Sequence, residues 1–560
     1  MKKPIDLQLL AIFGGGLLFN FLFWNEGLGL NLLLHSLFIM IVIFVDKAHR
    51  NNKKTIIIAI SHLAAALLVV INHSVLNIFG YYITLIVFIG FAHAARIKSV
   101  FAAFLAGFLQ LASSPVNFVK RLINAKIGNV SVKPILKPIK YIIIPIVVVI
   151  FFSIIYSIAN PVFAKYGELF ITNISNFVND VFAFIFGDLS FARFLHVILG
   201  LLFTAGILLA FKESSLEKID EEDTEALIRK RKAKNSTSFV DELKLIFIGS
   251  IINKKMALKT EYIIGIISFA ALNLLLLVLN IIDFNTLWLG NISSFDDTYL
   301  STQLHEGANS LIFSIIMAMM VILFFFSGNL NFFSKNKTIK ILAYAWILQN
   351  TFLVFSVLIR DYHYINLSGL THKRIGVLVF LTLCIIGLFT VYTKVAKKKT
   401  LYYLLKVNGQ IWYILLIAFG IINWDTLIVN YNINSRNEIA LDVKHLMEMS
   451  DKTLPILAKN RVLLNKYASI SADFDVTLTE VDNPVVTVQA DSIPTPYLAK
   501  PAVDSVKLKR EVAQQRIKSF NEDLDLRIDR FKEEHERLSW LSWNFRDWQT
   551  KEYFNFKKED

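Results

Sequence analysis

Long apolar runs constrain this chain more than any other feature of its sequence. A helix needs roughly 20 apolar residues to cross about 30 Å of hydrocarbon, and eleven stretches approach or reach that length: 7–24, 28–45, 55–72, 76–95, 140–158, 190–211, 261–282, 306–327, 338–359, 373–393 and 409–429. With 55% apolar and only 18% charged residues, the composition excludes a soluble enzyme, a disordered protein and a disulfide scaffold. The chain is therefore predicted to be an all-α polytopic membrane protein with about eleven transmembrane helices.

A twelfth apolar stretch, 99–114, is shorter than the others. It contains Gly107 and runs into Ser113, Ser114 and Pro115. Basic residues flank it on both sides, in 96–98 and in 115–140. Because both flanks favour the cytoplasm, this stretch is predicted to be a re-entrant or surface-lying helix and not to cross the membrane.

The net charge of +14 is not evenly distributed along the chain. Residues 431–560 have a formal net charge of −2, and the first 430 residues have +16. An excess of positive charge between apolar helices is typical of cytoplasmic loops. We therefore expect the lipid bilayer as a partner and no nucleic acid.

The loop charges also predict an orientation. The basic loops 46–54, 115–140 and 394–406 are predicted to be cytoplasmic, whereas 283–305 carries Asp283, Asp296 and Asp297 with no Lys or Arg. Eleven crossings then place the N-terminus in the cytoplasm and the C-terminus outside it.

This topology divides the chain into four segments. Residues 1–211 are predicted to form N-terminal membrane helices, 212–260 a charged cytoplasmic loop, 261–430 further membrane helices, and 431–560 a small extracytoplasmic α+β domain. The 212–260 loop holds 11 basic and 9 acidic residues. A solvated linker is the favoured interpretation, and a segment bound to anionic headgroups is the alternative.

The C-terminal 130 residues combine helical and strand signals. A capping box at Ser435 predicts a short helix to about Met449, and a second helix is predicted over 453–467. Alternation in 473–478 and the run 485–488 predict a β element. A long charged helix is then predicted with one apolar stripe at helical spacing. The stripe is expected to pack on its own domain, although a dimeric coiled coil remains open. Its residues are Ile517, Phe520, Leu524, Ile528, Phe531 and Leu538.

An aromatic tail follows that helix, with Trp540, Trp543, Trp548 and Tyr553 among its residues. Trp and Tyr favour membrane interfaces because the ring is apolar and its edge forms hydrogen bonds. Docking of the tail on the outer membrane surface or a partner and packing in a protein core are equally compatible with this pattern.

Sequence motifs for known chemistry are scarce. The chain has no phosphate-binding Gly-x-x-x-x-Gly-Lys loop, no His-Glu-x-x-His zinc helix and no Gly-x-Ser-x-Gly elbow. The intramembrane residues His35, His62 and His93 are predicted to form interhelical hydrogen bonds. No cofactor and no metal are predicted.

The best candidate for a functional cluster lies at the outer ends of two predicted helices. His305 and Asn309 share a helical face beside Glu306, and Gln349 and Arg360 lie on one stripe of a neighbouring helix. The loop after Arg360 adds Asp361, Tyr364, His372 and Arg374. Its outer cations either neutralise Asp296, Asp297 and Glu306, which is the favoured interpretation and includes a Glu306–Arg360 contact, or receive an anionic ligand.

The runs that carry this cluster resemble a known family. They are 299–307, 346–360 with Tyr364, 369–375, and 441–455. They resemble a family of bacterial multi-pass inner-membrane proteins known only as a domain of unknown function, of the four-one-seven-three type. The resemblance covers roughly 260–460 and the helix layout upstream. It implies a bacterial inner-membrane location and no particular reaction.

Three functions remain open. A non-enzymatic scaffold or sensor linking cytoplasm and envelope is favoured, because the chain has soluble extensions on both predicted sides and could bind an envelope or membrane protein through its C-terminal domain. A transporter of a small or anionic solute, with a path past His305, Glu306 and Arg360, is the first alternative. A membrane transferase acting on lipid-linked envelope substrates is the second. The substrate or signal and the oligomeric state are not encoded in any motif.

Overall fold

The computed structural model describes most of the chain. The described residues are 7–94, 96–124, 126–127, 130–131, 152–186, 190–209, 220–221, 223–227, 258–289, 297–327, 329–435, 441–470 and 505–554, with isolated positions besides. Within 123–131, 177–186, 297–309 and 505–509 only the backbone is described. The described residues are overwhelmingly helical; β1 (Lys126–Ile127) and β2 (Val130–Ser131) form a two-residue antiparallel pair.

The first half of the chain forms one helical bundle. Its helices are α1 (Leu7–Phe23), α2 (Leu30–Phe44), α3 (Lys47–Asn51), α4 (Lys53–Asn72), α5 (Val75–His93), α6 (Val100–Ala112), α7 (Ser114–Asn124), α8 (Pro161–Phe186) and α9 (Phe191–Leu208). Side-chain caps begin several of them: Asn52 accepts from the Lys54 amide, and Ser74 from Asn77. These caps satisfy amides that have no partner inside the helix. Helices α1, α2, α4, α5 and α9 enclose a shared apolar core.

The second half forms another bundle. Its helices are α10 (Leu258–Asp283), which continues as a π-helical turn (Phe284–Trp288), α11 (Asp297–Phe325), α12 (Lys337–Ser368), α13 (His372–Ala396) and α14 (Leu401–Gly420); a 3-10 turn (Asn329–Phe332) precedes α12. Phe269, Ile322 and Trp346 are among the residues of its core. Helix α14 also packs against α5 and α6, so it joins the two bundles.

Seven helices in the described part of the chain are long and apolar enough to cross a membrane: α4, α5, α9, α10 with its π-helical turn, α12, α13 and α14. Helices α1, α2 and the stretch 310–325 are apolar but shorter. The predicted count of eleven is therefore not confirmed. The predicted span 140–158 falls largely outside the described residues, and 152–159 is helical.

One predicted span and the short stretch 99–114, which was predicted not to cross, each end at a local break. The span 409–429 breaks after Gly420, because Asn423 caps a new helix, α15 (Trp424–Asn434). The stretch 99–114 corresponds to α6, and the chain bends by 52° between α6 and α7. Such a bend is compatible with a broken span or a re-entrant loop.

Helices α5 and α6 approach so closely that their contact requires glycine. A Cβ added at Gly107 would lie 2.0 Å from the Ile86 carbonyl oxygen, and one at Gly90 would lie 1.9 Å from that of Ala103. Small residues permit this approach between membrane helices, where dispersion contacts drive association.

The described C-terminal region is helical. It contains α16 (Val443–Met447), a 3-10 turn (Asp451–Thr453), α17 (Leu454–Lys459), α18 (Arg461–Ala468), α19 (Ser505–Glu536), a second 3-10 turn (Trp540–Ser542) and α20 (Phe545–Tyr553). The predicted helix over 453–467 corresponds to α17 and α18, which are separated at Asn460. The predicted β element at 473–488 lies outside the described residues, so an α+β domain is not confirmed.

The apolar stripe of α19 packs on its own domain, as the spacing predicts. Phe520, Leu524 and Phe531 are fully buried in a core shared with Val443 and Leu457. Arg527 reinforces this packing by donating to the carbonyl oxygens of Met447 and Met449.

The C-terminal region and the segment 220–227 contact opposite ends of the bundles. At one end, the Leu30 amide donates to the Trp543 carbonyl oxygen at 2.9 Å, and Lys452 donates to that of His73, just before α5. At the other end, beyond the last residue of α5, the Lys98 amide donates to Asp220 at 2.5 Å. The aromatic tail therefore docks on helix ends of its own chain, while Trp540 and Trp548 remain exposed.

Substitution of Gly107 tests the close contact between α5 and α6. We expect Gly107→Ala to lower the free energy of unfolding by about 1–3 kcal/mol, the usual cost of overpacking, and to lower the thermal midpoint of the detergent-solubilised protein. Gly14→Ala is the matched control, because a Cβ at Gly14 meets no atom within 4 Å. Equal midpoints for the two variants would show that α5 and α6 do not touch at Gly107.

Candidate functional site

A cavity of about 860 Å³ lies between the two bundles at the end contacted by the C-terminal region. Helices α5, α13 and α14 form its walls, and residues 423–425 and 448–450 cover one end. The walls are apolar along most of their length and include Leu76, Phe79, Val379, Leu383, Trp412, Leu415 and Phe419. Polar side chains gather at one end, namely Ser74, His372, Asn423, Asp425, His445, Glu448 and Ser450. We call this cavity the interbundle groove.

The groove runs along the helices to about the depth of one membrane leaflet. On α13 it is lined from His372, the first helical residue, to Leu383. At a rise of 1.5 Å per residue this distance is about 16 Å, roughly half of the 30 Å hydrocarbon thickness. Phe79 and Trp412 on its walls are 51% and 40% exposed, so the groove is open on the side where lipid would lie.

Asp425 organises the polar end of the groove. It lies in the first turn of α15, where the helix dipole favours a negative charge. His372 Nε2 donates to Asp425 Oδ1 at 2.7 Å, and the Ser450 hydroxyl donates to Oδ2. Burial by itself would raise the pKa of Asp425, but these two hydrogen bonds and the nearby Lys452 outweigh it and hold the pKa below its usual value.

This arrangement suits binding better than nucleophilic catalysis. The Ser450 hydroxyl donates to a carboxylate and not to an imidazole, so His372 is not placed to remove its proton. The carboxylate stands between the two side chains and is an acceptor for hydrogen bonds or for a cation. Among the described residues, no group of three or more His, Cys, Asp or Glu side chains is arranged to hold a metal ion.

A second acidic centre connects the polar end with the tail. Asp547 accepts from His535 Nε2 at 3.1 Å and lies 3.6 Å from His73 Nδ1. Burial alone would raise the pKa of Asp547, but hydrogen bonds from His535, His73 and Asn544 lower it well below its ordinary value. The charges of Asp425 and Asp547 both raise the pKa of Lys452, but the burial of its ammonium group lowers this pKa more.

The predicted cluster residues on α12 have partners on α10. Gln349 Nε2 donates to Asn273 Oδ1 at 2.9 Å, and Asn280 donates to the Gln349 carbonyl oxygen at 3.2 Å. Arg360 forms an ion pair with the buried Asp283, near the end of α10. These contacts join α10 to α12 away from the groove.

The remaining residues of the predicted loop separate into two groups. Arg374 donates to the carbonyl oxygens of Ser368 and Gly369 and stacks on Tyr364, with its guanidinium carbon 4.0 Å from the ring centre. Asp361 is buried on α12. Of this loop, only His372 lines the groove.

The side chains of His305, Glu306 and Asn309 lie outside the described residues, although their backbone belongs to α11. The Glu306–Arg360 contact therefore stays a prediction. The same holds for Asp296 and Asp297, which were expected to neutralise the outer cations. The acid that the structure places against Arg360 is Asp283.

Sequence reasoning missed Asp425, His445, Glu448 and Ser450. One signal was available, because Asn423 and Asp425 directly follow the last long apolar run, where an N-cap and a first-turn acid predict a new helix. The other three lie within 441–455, a run that carried the family resemblance. Nothing in their spacing, however, predicted that they face His372.

The intramembrane histidines were predicted to bond between helices, and two of them do. His62 Nδ1 and Thr84 Oγ1 share a hydrogen bond of 3.0 Å between α4 and α5. His93 Nε2 donates to the Ile207 carbonyl oxygen of α9 at 2.7 Å. His35 is buried among Phe19, Phe23 and Phe203.

Comparison with known proteins gives a family without a known activity. The family described as Domain of unknown function (DUF4153) matches residues 36–460. The chain belongs to this family. The match covers α3 to α17 and all residues that line the interbundle groove, and it corrects the four-one-seven-three type suggested by the resemblance. No curated protein and no solved structure matches the chain.

Replacement of Asp425 by Asn tests the polar end. A carboxyl group whose folded pKa lies below the unfolded value of about 3.9 stabilises the fold above that pH, and the stabilisation disappears as the pH falls through the folded pKa. We expect Asp425→Asn to cost about 1.5–3 kcal/mol at pH 7, the range for hydrogen bonds to a charged group. The difference from wild type should shrink below about pH 4.

Thermal unfolding of the solubilised protein between pH 3 and 7 measures this effect, with the exposed Asp529→Asn as control. A pH-independent difference between wild type and Asp425→Asn would contradict the role assigned to the carboxylate.

Proposed function

We propose that this protein is a multi-pass inner-membrane protein that binds an amphiphile in the interbundle groove. The observation that carries the proposal is the groove itself, which has apolar walls about one leaflet deep and a polar end built by His372, Asp425 and Ser450. An amphiphile matches both parts, because its chain removes apolar surface from water and its head supplies partners to the polar groups.

We also propose that the polar end faces outward. The +16 charge of the first 430 residues and the basic loops 46–54 and 394–406 favour a cytoplasmic position for the end contacted by 220–227. Lys399 and Lys406 lie at that end and pair with Glu225. The net charge of −2 in residues 431–560 agrees with an outer position of the C-terminal region. Eleven crossings with a cytoplasmic N-terminus satisfy these constraints.

Reporter fusions test this orientation. A phosphatase fused after Asp560 in a bacterial host should be active, because that enzyme needs an extracytoplasmic environment, whereas a fusion within the basic loop 46–54 should be inactive. Activity of the second fusion with inactivity of the first would reverse the proposed topology.

A scaffold or sensor role is the second candidate, and it is compatible with amphiphile binding. The C-terminal region and the segment 220–227 each contact helix ends. Lys98 follows α5 of the first bundle, and Lys406 belongs to α14, which packs on both bundles; both residues contact 220–227. A ligand between α5 and α13 would therefore act on contacts at both ends. An envelope or membrane protein partner of the C-terminal region fits this role.

The other two functions have less support. A solute path past His305, Glu306 and Arg360 would have to accommodate the Arg360–Asp283 ion pair and the Gln349–Asn273 hydrogen bond. A transferase acting on a lipid-linked substrate would suit the shape of the groove. However, Ser450 donates to the Asp425 carboxylate, whose pKa is held below its usual value, so this base is too weak to activate the hydroxyl group efficiently.

Filling the groove tests amphiphile binding directly. A Cβ at Gly376 meets no atom within 4 Å, and Gly376 lines the groove. We therefore expect Gly376→Trp to occupy the groove without distorting α13. A phospholipid with a photoreactive group in its acyl chain should label peptides 375–383 and 412–419 in the wild type. The variant should show about tenfold less label, which corresponds to a loss of roughly 1.4 kcal/mol in the free energy of binding.

Gly14→Trp is the control, because Gly14 is exposed on α1 and has equally open surroundings. Equal labelling of these peptides in wild type, Gly14→Trp and Gly376→Trp would mean that the label reports surrounding lipid and not a bound amphiphile.

A further inference from the structure

We infer that the groove selects a phospholipid whose head ends in an ammonium group, held by the carboxylates of Asp425 and Glu448. This inference rests on the proposed amphiphile binding and names the class of head that the polar end recognises. The charge of the groove lining, the positions of the nearest cations and the aromatic side chains each contribute to it.

The charge of the polar end favours a cation. Asp425 and Glu448 are the charged side chains that line the groove, and no Lys or Arg is among its lining residues. Glu448 is exposed, whereas the side chain of Asp425 is mostly buried. A phosphate with no accompanying cation would meet two like charges beside apolar walls, where repulsion is poorly screened.

The nearest cations are engaged elsewhere. Lys452 directs its ammonium group to the His73 carbonyl oxygen and shares its charge with Asp425 and Asp547. Arg374 follows His372 by two residues, but its guanidinium group is buried against Tyr364 and two carbonyl oxygens. His372 donates to Asp425 and so orients the carboxylate. Lys452 and His372 offset part of the charge of Asp425, but neither Lys452 nor Arg374 lines the groove, and Glu448 has no such partner among them.

Aromatic rings provide a second feature that suits an ammonium group. Phe419 and Trp424 line the groove with ring centres 6.1 Å apart. Trp424 Nε1 donates to the Phe419 carbonyl oxygen at 3.0 Å, which fixes the orientation of the indole. Ring faces attract a cation that lies within about 6 Å. The carboxylates and the rings together therefore favour a head group that ends in an ammonium group over one that ends in a hydroxyl group.

The length of the groove favours a lipid over a free amine. The apolar walls continue from the polar end to Leu383 and Trp412, and a small amine would leave them without a partner. An acyl chain parallel to α13 would cover them while the ammonium group lies at Asp425 and Glu448.

Two photoreactive phospholipids with identical acyl chains, one with an ethanolamine head and one with a glycerol head, test this inference. Each is added as a trace to vesicles of unlabelled lipid that contain the full-length protein. We expect the ethanolamine lipid to label peptides 375–383 and 412–419 about fivefold more than the glycerol lipid. This ratio corresponds to a difference in binding free energy of roughly 1 kcal/mol.

Variants connect this preference to the carboxylates. Glu448→Gln should reduce the ratio of labelling by the two lipids, and Asp425→Asn should reduce it further. Both should leave some labelling through the acyl chain. The exposed Asp529→Asn should keep the wild-type ratio. Because Glu448 is exposed, its variant keeps the test valid if Asp425→Asn fails to fold.

The outcomes separate the two proposals. Equal labelling by both lipids that Gly376→Trp abolishes would overturn the ammonium inference and leave amphiphile binding in place. Labelling that Gly376→Trp does not change would overturn both. If free ethanolamine at millimolar concentration displaced the lipid label, the site would recognise an amine without its chain, and the lipid assignment would be wrong.

Discussion

Hydrocarbon offers no hydrogen-bond partner to a peptide group, and this constraint governs how the apolar helices of this protein form and pack. Each helix satisfies its own backbone, so association between helices depends on close packing and on a few side-chain hydrogen bonds. Gly90 and Gly107 allow α5 and α6 to touch through their backbones. Gln349 and Asn273 bond α12 to α10. The polar groups within the bundles therefore serve mainly to hold helices together.

The interbundle groove follows from the same packing. Helix α14 contacts α5, α6 and α13, and no described helix fills the space beside it at the end contacted by the C-terminal region. Helix α15 contributes Asp425 at this end, and the C-terminal region contributes Glu448 and Ser450. Helix α14 ends at Gly420, and Asn423 caps α15 three residues later. A single helix break thus places a carboxylate at the end of an apolar groove.

Much of the local structure could be predicted from the sequence. Apolar length predicted most of the membrane helices, and helical spacing predicted that Phe520, Leu524 and Phe531 face a core, because periodicity follows from the geometry of one helix. The candidate cluster was brought together only in part. Gln349 and Arg360 pair with Asn273 and Asp283 on α10, which lie outside the predicted cluster, whereas Arg374 stacks on Tyr364, which belongs to it.

Composition and spacing alone predicted a helical membrane protein, the distribution of charge along the chain and the apolar faces of its helices. These properties depend on composition and on spacing within one element. Only the tertiary structure brought His372, Asp425 and Ser450 together, since they lie 53 and 25 residues apart on different elements. Contacts of this kind depend on how helices pack across the whole chain, and no local pattern in a single sequence records that packing.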